Sequence, residues 1–198
     1  MHQRRIGNQQ RLRKAARQLC LLLVLTFADG HALVADTYSD RRATVGLNLF
    51  RALLVADQRA EARANGAGEL PIYVLYAEDQ LQADEYVQTL QQELAVIREH
   101  RTRVQSTSYD DYLAGKTERP LGIFISQRLT GRELERLIQT SIAQGVILFS
   151  PFEGDVEKGV LAGLSVQASV RPYINLKTLD ETGVSIKPFY LRVARTYE

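Results

Sequence analysis

The 198-residue chain has no tryptophan, one cysteine, one methionine and three histidines. Met1, His2, Cys20 and His31 all fall within the first 35 residues, so residues 36–198 hold no thiol and a single imidazole, His100. Disulfides, thiol nucleophiles and Cys/His metal clusters are thereby excluded from that stretch, and no metal site is expected. A Ser-His-Asp triad would need His100, which sits in the polar stretch Arg98-Glu99-His100-Arg101 with no nucleophile motif beside it, the setting of an exposed loop histidine. The absence of tryptophan removes the strongest sugar-stacking platform, although tyrosines could still stack, and so weakens a glycosidase reading of any acid pair. No G-x-G-x-x-G occurs, and Gly154-x4-Gly159 lacks the Lys-Ser/Thr that a phosphate-cradling loop requires. The sequence therefore offers neither catalytic residues nor a cofactor motif.

Long apolar runs are also missing. The longest, Leu19–Phe27, is too short for a membrane span of about 20 residues. It follows Arg4, Arg5, Arg11, Arg13, Lys14 and Arg17 and precedes the small residues Ala28, Gly30, Ala32 and Ala35, the order of a secretory signal peptide. Residues 1–35 are expected to be that signal, cleaved after Ala32 or Ala35, and residues 36–198 one α/β domain in the periplasm with no membrane insertion after cleavage. The Arg4-Arg5 pair lies too far from the apolar run for a twin-arginine signal. The chain's net charge of +2 misleads, because the signal segment holds six of the 25 Lys and Arg and only one of the 23 acids. The remainder carries net negative charge, which argues against a nucleic-acid partner.

Apolar spacing outlines the domain. Ala43, Leu47, Phe50 and Leu54 recur at helical intervals in a helix from Asp40 to Ala56, with a polar helical continuation from Asp57 to Ala64 that stops at Asn65-Gly66. Pro71–Ala77 reads as a strand covered on both faces, and Val87, Leu90, Leu94 and Ile97 place one apolar stripe on a helix from Gln80 to Arg98. Arg103–Ser108 reads as a poorly apolar strand suited to an edge, and Tyr109–Lys116 as a loop or short helix. The clearest unit is Pro120–Ser150. It comprises a strand at Leu121–Ile125, a capping box at Thr130-x-x-Glu133, a stripe of Leu134, Leu137, Ile138 and Ile142, a stop at Gly145, and a strand at Val146–Phe149. Leu161–Val166 and Val170–Leu176 suggest an antiparallel hairpin with Pro172 at an edge or bulge, followed by a short helix stopped by Gly183 and a terminal helix from Pro188 through Arg195. The expected fold is a single-domain three-layer αβα sandwich, its mixed sheet combining a parallel βαβ core with a C-terminal antiparallel hairpin.

Ligands of parallel α/β sheets gather beyond the carboxyl ends of the strands. Those ends bring Glu78-Asp79, Ser126-Gln127-Arg128 and Ser150-Pro-Phe-Glu153-Gly-Asp155 to one edge, with Ser126, Gln127, Arg128, Ser150 and Glu153 as candidate ligand-binding residues. Arg128 and the free N–H groups near Thr130 suit a carboxylate or phosphate; ordinary capping and loop solvation explain the same residues. Glu153, Asp155 and Glu157 alternate as hard-cation ligands do, but their spacing misses the calcium-loop pattern, and an exposed acidic turn is the simpler reading.

Five segments line up in order with one family: Thr44–Val55, Leu70–Leu75, Leu121–Ser126, Gly145–Ser150 and Tyr173–Arg195. The last, with an Ile-Asn-Leu strand end, a short helix, a glycine and a terminal helix carrying Leu-x-x-x-Ala, is the most specific. Over residues 40–196 the chain resembles the YfiR/HmsC-like periplasmic proteins. The resemblance implies a non-enzymatic α/β protein that represses an inner-membrane diguanylate cyclase by binding its periplasmic part, and so sets cyclic-di-GMP output, biofilm and exopolysaccharide production. Two departures stand out. The disulfide-forming cysteines of some members are missing, and the aromatic-acid-Trp-Pro ending after the first helix is replaced by Val55-Ala56-Asp57-Gln58. No binding residue carries over position by position. The expected function is thus a signalling or interaction protein acting on an inner-membrane signalling protein, and a homodimer stays open. The alternative is a periplasmic small-solute-binding protein of transporter type, for which residues 36–198 are short to make two closing lobes.

Overall fold

The computed structural model describes the backbone of residues 30–198 and side chains from residue 41 onward. The expected signal segment lies largely outside the described residues. Among them no helix is long and apolar enough to cross a membrane.

Helix α1 spans Gly30–Ala56, and within the unit formed by residues 43–198 its Ala43, Leu47, Phe50 and Leu54 are buried at the expected spacing. Phe50 completes a ring cluster with Phe124 and Phe149, centroids 5.7–5.8 Å apart, and burial of such a side chain contributes about 1.5–3 kcal/mol. The close seating depends on Gly122, where an added Cβ would lie 2.6 Å from Leu54 Cδ2.

The helix does not continue past Ala56. Asp57 instead forms an isolated antiparallel bridge with Ile186, and only a 3-10 turn, Ala60–Arg63, remains of the expected polar extension. The reason is the Asp57 side chain, which is fully buried and accepts hydrogen bonds from Arg59 N at 3.0 Å and the Arg63 guanidinium at 2.8 Å. Glycine's left-handed conformation is used at Gly68 (φ +76°) and not at Gly66, because Asn65 Oδ1 accepts from the Ala67 and Glu69 amides and closes the turn itself.

Strand β1 (Leu70–Tyr76) leads to α2 (Gln80–Glu93), β2 (Val96–Ile97), β3 (His100–Ser108) and α3 (Tyr109–Leu113). Next come β4 (Gly122–Ile125), α4 (Gly131–Gln144), β5 (Ile147–Ser150), β6 (Ala162–Val166), β7 (Val170–Asn175), α5 (Leu176–Thr182), α6 (Pro188–Val193) and β8 (Arg195–Tyr197). The strands form one sheet in the order β2-β3-β1-β4-β5-β6-β7-β8. Neighbours from β3 through β6 are parallel, β6–β7 is the expected antiparallel hairpin, β7–β8 is parallel and β2–β3 antiparallel.

The period of two along each central strand splits the core into two clusters. Ile72, Val74, Phe124, Ile147 and Phe149 face α1, α2 and Tyr190 of α6, while Tyr73, Leu75, Ile123, Ile125 and Leu148 face α3 and α4. This is the three-layer αβα sandwich read from the sequence. The βαβ unit at its centre is also as expected, with the reciprocal Thr130–Glu133 capping box and Gly145 in the left-handed conformation at φ +61°.

Two helix ends differ from expectation. α2 stops at Glu93, and the chain reverses at Arg98 (φ 55°) so that β2 pairs back on β3; Leu94 still buries from the α2 C-cap and Ile97 from the hairpin. The Arg98 guanidinium donates to the Asp57 and Gln58 carbonyls, which fixes that reversal. α6 ends at Val193, and Arg195–Tyr197 becomes β8, drawn to the sheet by Arg195, whose guanidinium lies 4.9 Å over the Tyr173 ring and donates to Ser165 Oγ. β8 pairs with β7 only from Tyr173 onward, so Pro172 keeps the unpaired outer side it requires.

Candidate functional site

The carboxyl ends of β1, β4 and β5 share one edge because those strands are parallel neighbours. At β4, Ser126 is buried and its hydroxyl donates to the Leu75 carbonyl at 2.9 Å, tying the end of β4 to β1. Gln127 reaches the loop after β1. Its Oε1 accepts from the Ala77 and Glu78 amides at 3.1 and 3.0 Å, and its Nε2 donates to the Asp79 carbonyl at 2.9 Å. One side chain thus satisfies three backbone groups in the turn that starts α2, where Asp79 caps the Gln82 amide.

Ser150 and Asp155 close the turn after β5. The buried Ser150 hydroxyl donates to the Asp155 carboxylate at 2.7 Å and accepts from Phe152 N at 3.2 Å. Asp155, 4% exposed, also takes Lys158 Nζ at 3.2 Å, and its carbonyl accepts from the Lys158 and Val160 amides. β6 passes immediately beneath this turn. An added Cβ at Gly163 would stand 2.7 Å from the Ser150 carbonyl oxygen.

Of the five residues predicted to bind a ligand, Ser126, Gln127 and Ser150 therefore spend their polar groups within the fold. Arg128 and Glu153 are exposed. The Arg128 guanidinium lies 5.1 Å over the Phe152 ring, joining the loops after β4 and β5 by a cation–π contact. Asp155 points inward while Glu153 and Glu157 are exposed, and among the described residues no group of three His, Cys, Asp or Glu side chains is placed to hold a metal ion. His100 lies at the start of β3 with Nδ1 2.9 Å from the Gly68 carbonyl, where it braces the 64–69 loop.

Beside this edge, α4 carries its own electrostatics. The Glu133 carboxylate is held below its ordinary range by the Thr130 amide, with the Thr130 hydroxyl adding to the effect. Arg132 and Arg136 stand exposed on the same helix. Tyr109 of α3 donates to the Glu133 carbonyl, and its phenol is pushed up by burial while the Arg136 charge partly opposes that shift.

A surface cavity of about 350 Å³, not foreseen from the sequence, lies between α4, the 157–159 turn and α5, lined by Gln139, Lys158, Asn175, Lys177 and Tyr197 among others. Four segments distant in sequence form it. The buried Asn175 amide in its wall donates to the Val156 carbonyl and its Oδ1 accepts from Thr178 N, so the wall is internally satisfied.

No family model and no curated protein matches the chain. Among solved structures it is similar to an ABC domain in complex with L-Trp from Streptococcus pneumonia. The TM-score is 0.50 at 13% identity, over 78% of this chain and 59% of that one. A conserved domain protein from Vibrio cholerae matches with TM-score 0.47, 14% identity and coverage of 69% and 57%. A ligand-free, open substrate-binding protein with adhesive properties from Clostridium difficile gives 0.48, 11%, 71% and 58%. The chain spans less than two thirds of each neighbour's length. What the first similarity shows is the fold, a mixed α/β sandwich found also in a ligand-binding protein.

Proposed function

We propose that the chain is a non-enzymatic periplasmic interaction protein that regulates an inner-membrane signalling protein such as a diguanylate cyclase. The observation that carries this reading is the internal satisfaction of the strand-end edge. Ser126, Gln127 and Ser150, the polar groups that a small ligand would use there, are already bonded to backbone or to Asp155. An edge closed in this way favours contact through an outer surface over enclosure of a solute. The signal-like N-terminus and the five segments resembling the YfiR/HmsC-like proteins support the same assignment, and cyclic-di-GMP control is its finer form.

Capture with the tagged full chain from the native envelope tests it. Co-elution of a membrane protein with a cyclase domain, together with a changed cyclic-di-GMP level when the chain is deleted, is the expected result. Repeated recovery of a transporter permease instead would sink it.

The second reading is small-solute binding, favoured by the sandwich shared with the L-Trp-bound ABC domain. The described residues form a single sheet, and the match covers 59% of that protein. A thermal-shift screen with amino acids, sugars and small anions discriminates, since a ligand at one hundred times its Kd stabilises by about 2.7 kcal/mol.

A further inference from the structure

Helix α4 and the loop before it present three arginines at intervals of four residues: Arg128, Arg132 and Arg136. All three are exposed, and none forms an ion pair with a described residue, whereas Arg51, Arg63, Arg98 and Arg103 each have a carboxylate within 4 Å. The nearby acids do not neutralise the row. Glu133 is turned back to accept from the Thr130 amide at 2.8 Å, and exposed Glu135 makes no ion pair within 4 Å among the described residues. The first arginine is also held in place, its guanidinium stacked over Phe152 at 5.1 Å with its edge free to donate.

We propose that this arginine row docks an acidic, extended segment of the protein partner. The proposal rests on the reading above, that the chain works by binding another protein. On α4 the step from Arg132 to Arg136 advances about 6 Å, and same-face side chains of an extended strand recur at about 6.6–6.8 Å, so carboxylates at alternate positions of such a segment match that pair, with Arg128 held over Phe152 just ahead of the helix. A guanidinium takes a carboxylate by two parallel N–H bonds, which gives the row direction and register. A lipid surface fits less well, because a plane of anions would meet exposed Glu135 and Glu153 together with the arginines.

The test uses the full chain and a fluorescent peptide, Glu-Ser-Glu-Ser-Glu-Ser, with Glu-Glu-Glu-Ser-Ser-Ser as its composition-matched control. The wild type binds the alternating peptide more tightly than the control, and affinity falls steeply with salt. The triple variant Arg128→Gln, Arg132→Gln, Arg136→Gln, in which only exposed side chains change, loses about tenfold, while Glu135→Gln gains. Equal affinity of wild type and triple variant, with unchanged circular dichroism, overturns the proposal. So does binding to phosphatidylglycerol vesicles without binding to the peptide. Envelope capture separates this inference from the one it rests on. If the triple variant still captures the partner, the row is not its dock; if the wild type captures no partner yet the peptide distinguishes the variants, the row stands and the signalling role falls.

Discussion

The Asp57 carboxylate lies 2.8 Å from the Arg63 guanidinium, and both side chains are almost fully out of solvent. Burial lowers the Arg63 pKa, and the Asp57 charge works against that shift. Because Asp57 also stops α1 and bridges to Ile186, this pair ties the first helix to the segment before α6.

Removing one partner leaves the other charge buried, which costs about 3–5 kcal/mol. Asp57→Asn is expected to lower stability by that order in urea unfolding. Asp57→Asn with Arg63→Met should recover part of the loss. A double variant no more stable than Asp57→Asn would show that the pair contributes through something other than its charges.

Gly163→Ala tests the packing under the Ser150 turn. The new methyl would press on the Ser150 carbonyl at 2.7 Å and Val156 Cγ2 at 2.8 Å, and backbone in a central sheet cannot yield cheaply. A loss of about 1–3 kcal/mol is expected. Gly66→Ala, with nothing within 4 Å, serves as the control and should change stability by a few tenths at most.

The layers were legible because the continuous apolar runs of β1 and β4 specify strands covered on both faces, and the stripe in α4 specifies one buried face, each without reference to the rest of the chain. The ends of elements were not. Ile97 satisfies a helical stripe and a hairpin equally well, and what decides is Arg98 bonding to carbonyls about 40 residues away. β8 was missed because Arg195–Tyr197 is exposed and its attraction to Tyr173 is a tertiary contact. At the strand-end edge the sequence brings polar residues together but does not show how their side chains are engaged. Gln127 looks the same whether its amide faces a ligand or three backbone groups of the adjoining loop.

The capping box predicts an acid-side pH dependence. Hydrogen bonds from Thr130 depress the folded Glu133 pKa below its ordinary 4.5, so this carboxylate adds stability above that value and loses it as pH falls through the lower folded value. Glu133→Gln keeps an acceptor but cannot titrate. The stability difference between wild type and Glu133→Gln should be constant near neutrality and shrink below about pH 4.5 in pH-resolved urea unfolding. A difference that persists unchanged at low pH would remove the charge from the capping argument.

Tyr190 links α6 to α1, its buried hydroxyl donating to the Leu49 carbonyl at 3.2 Å. Burial pushes this phenol up from its ordinary value, so the hydrogen-bonded neutral form is the one present across the physiological range. Tyr190→Phe should cost about 1 kcal/mol in unfolding free energy, the net worth of one such bond, with the apolar contacts retained. Tyr190→Ala should cost several times more.

Gln127 separates the two functional readings. If its amide is a structural brace, Gln127→Ala releases the Ala77 and Glu78 amides and the Asp79 carbonyl, at an expected cost of about 1–3 kcal/mol, with faster hydrogen exchange at those two amides. Partner capture through the arginine row should then survive at temperatures below the lowered Tm. If the amide belongs to a solute site, the same substitution leaves stability near wild type and abolishes any thermal shift found in the solute screen. Stability falls under the first reading, whereas under the second it holds and the thermal shift is lost, so one variant measured both ways decides between them.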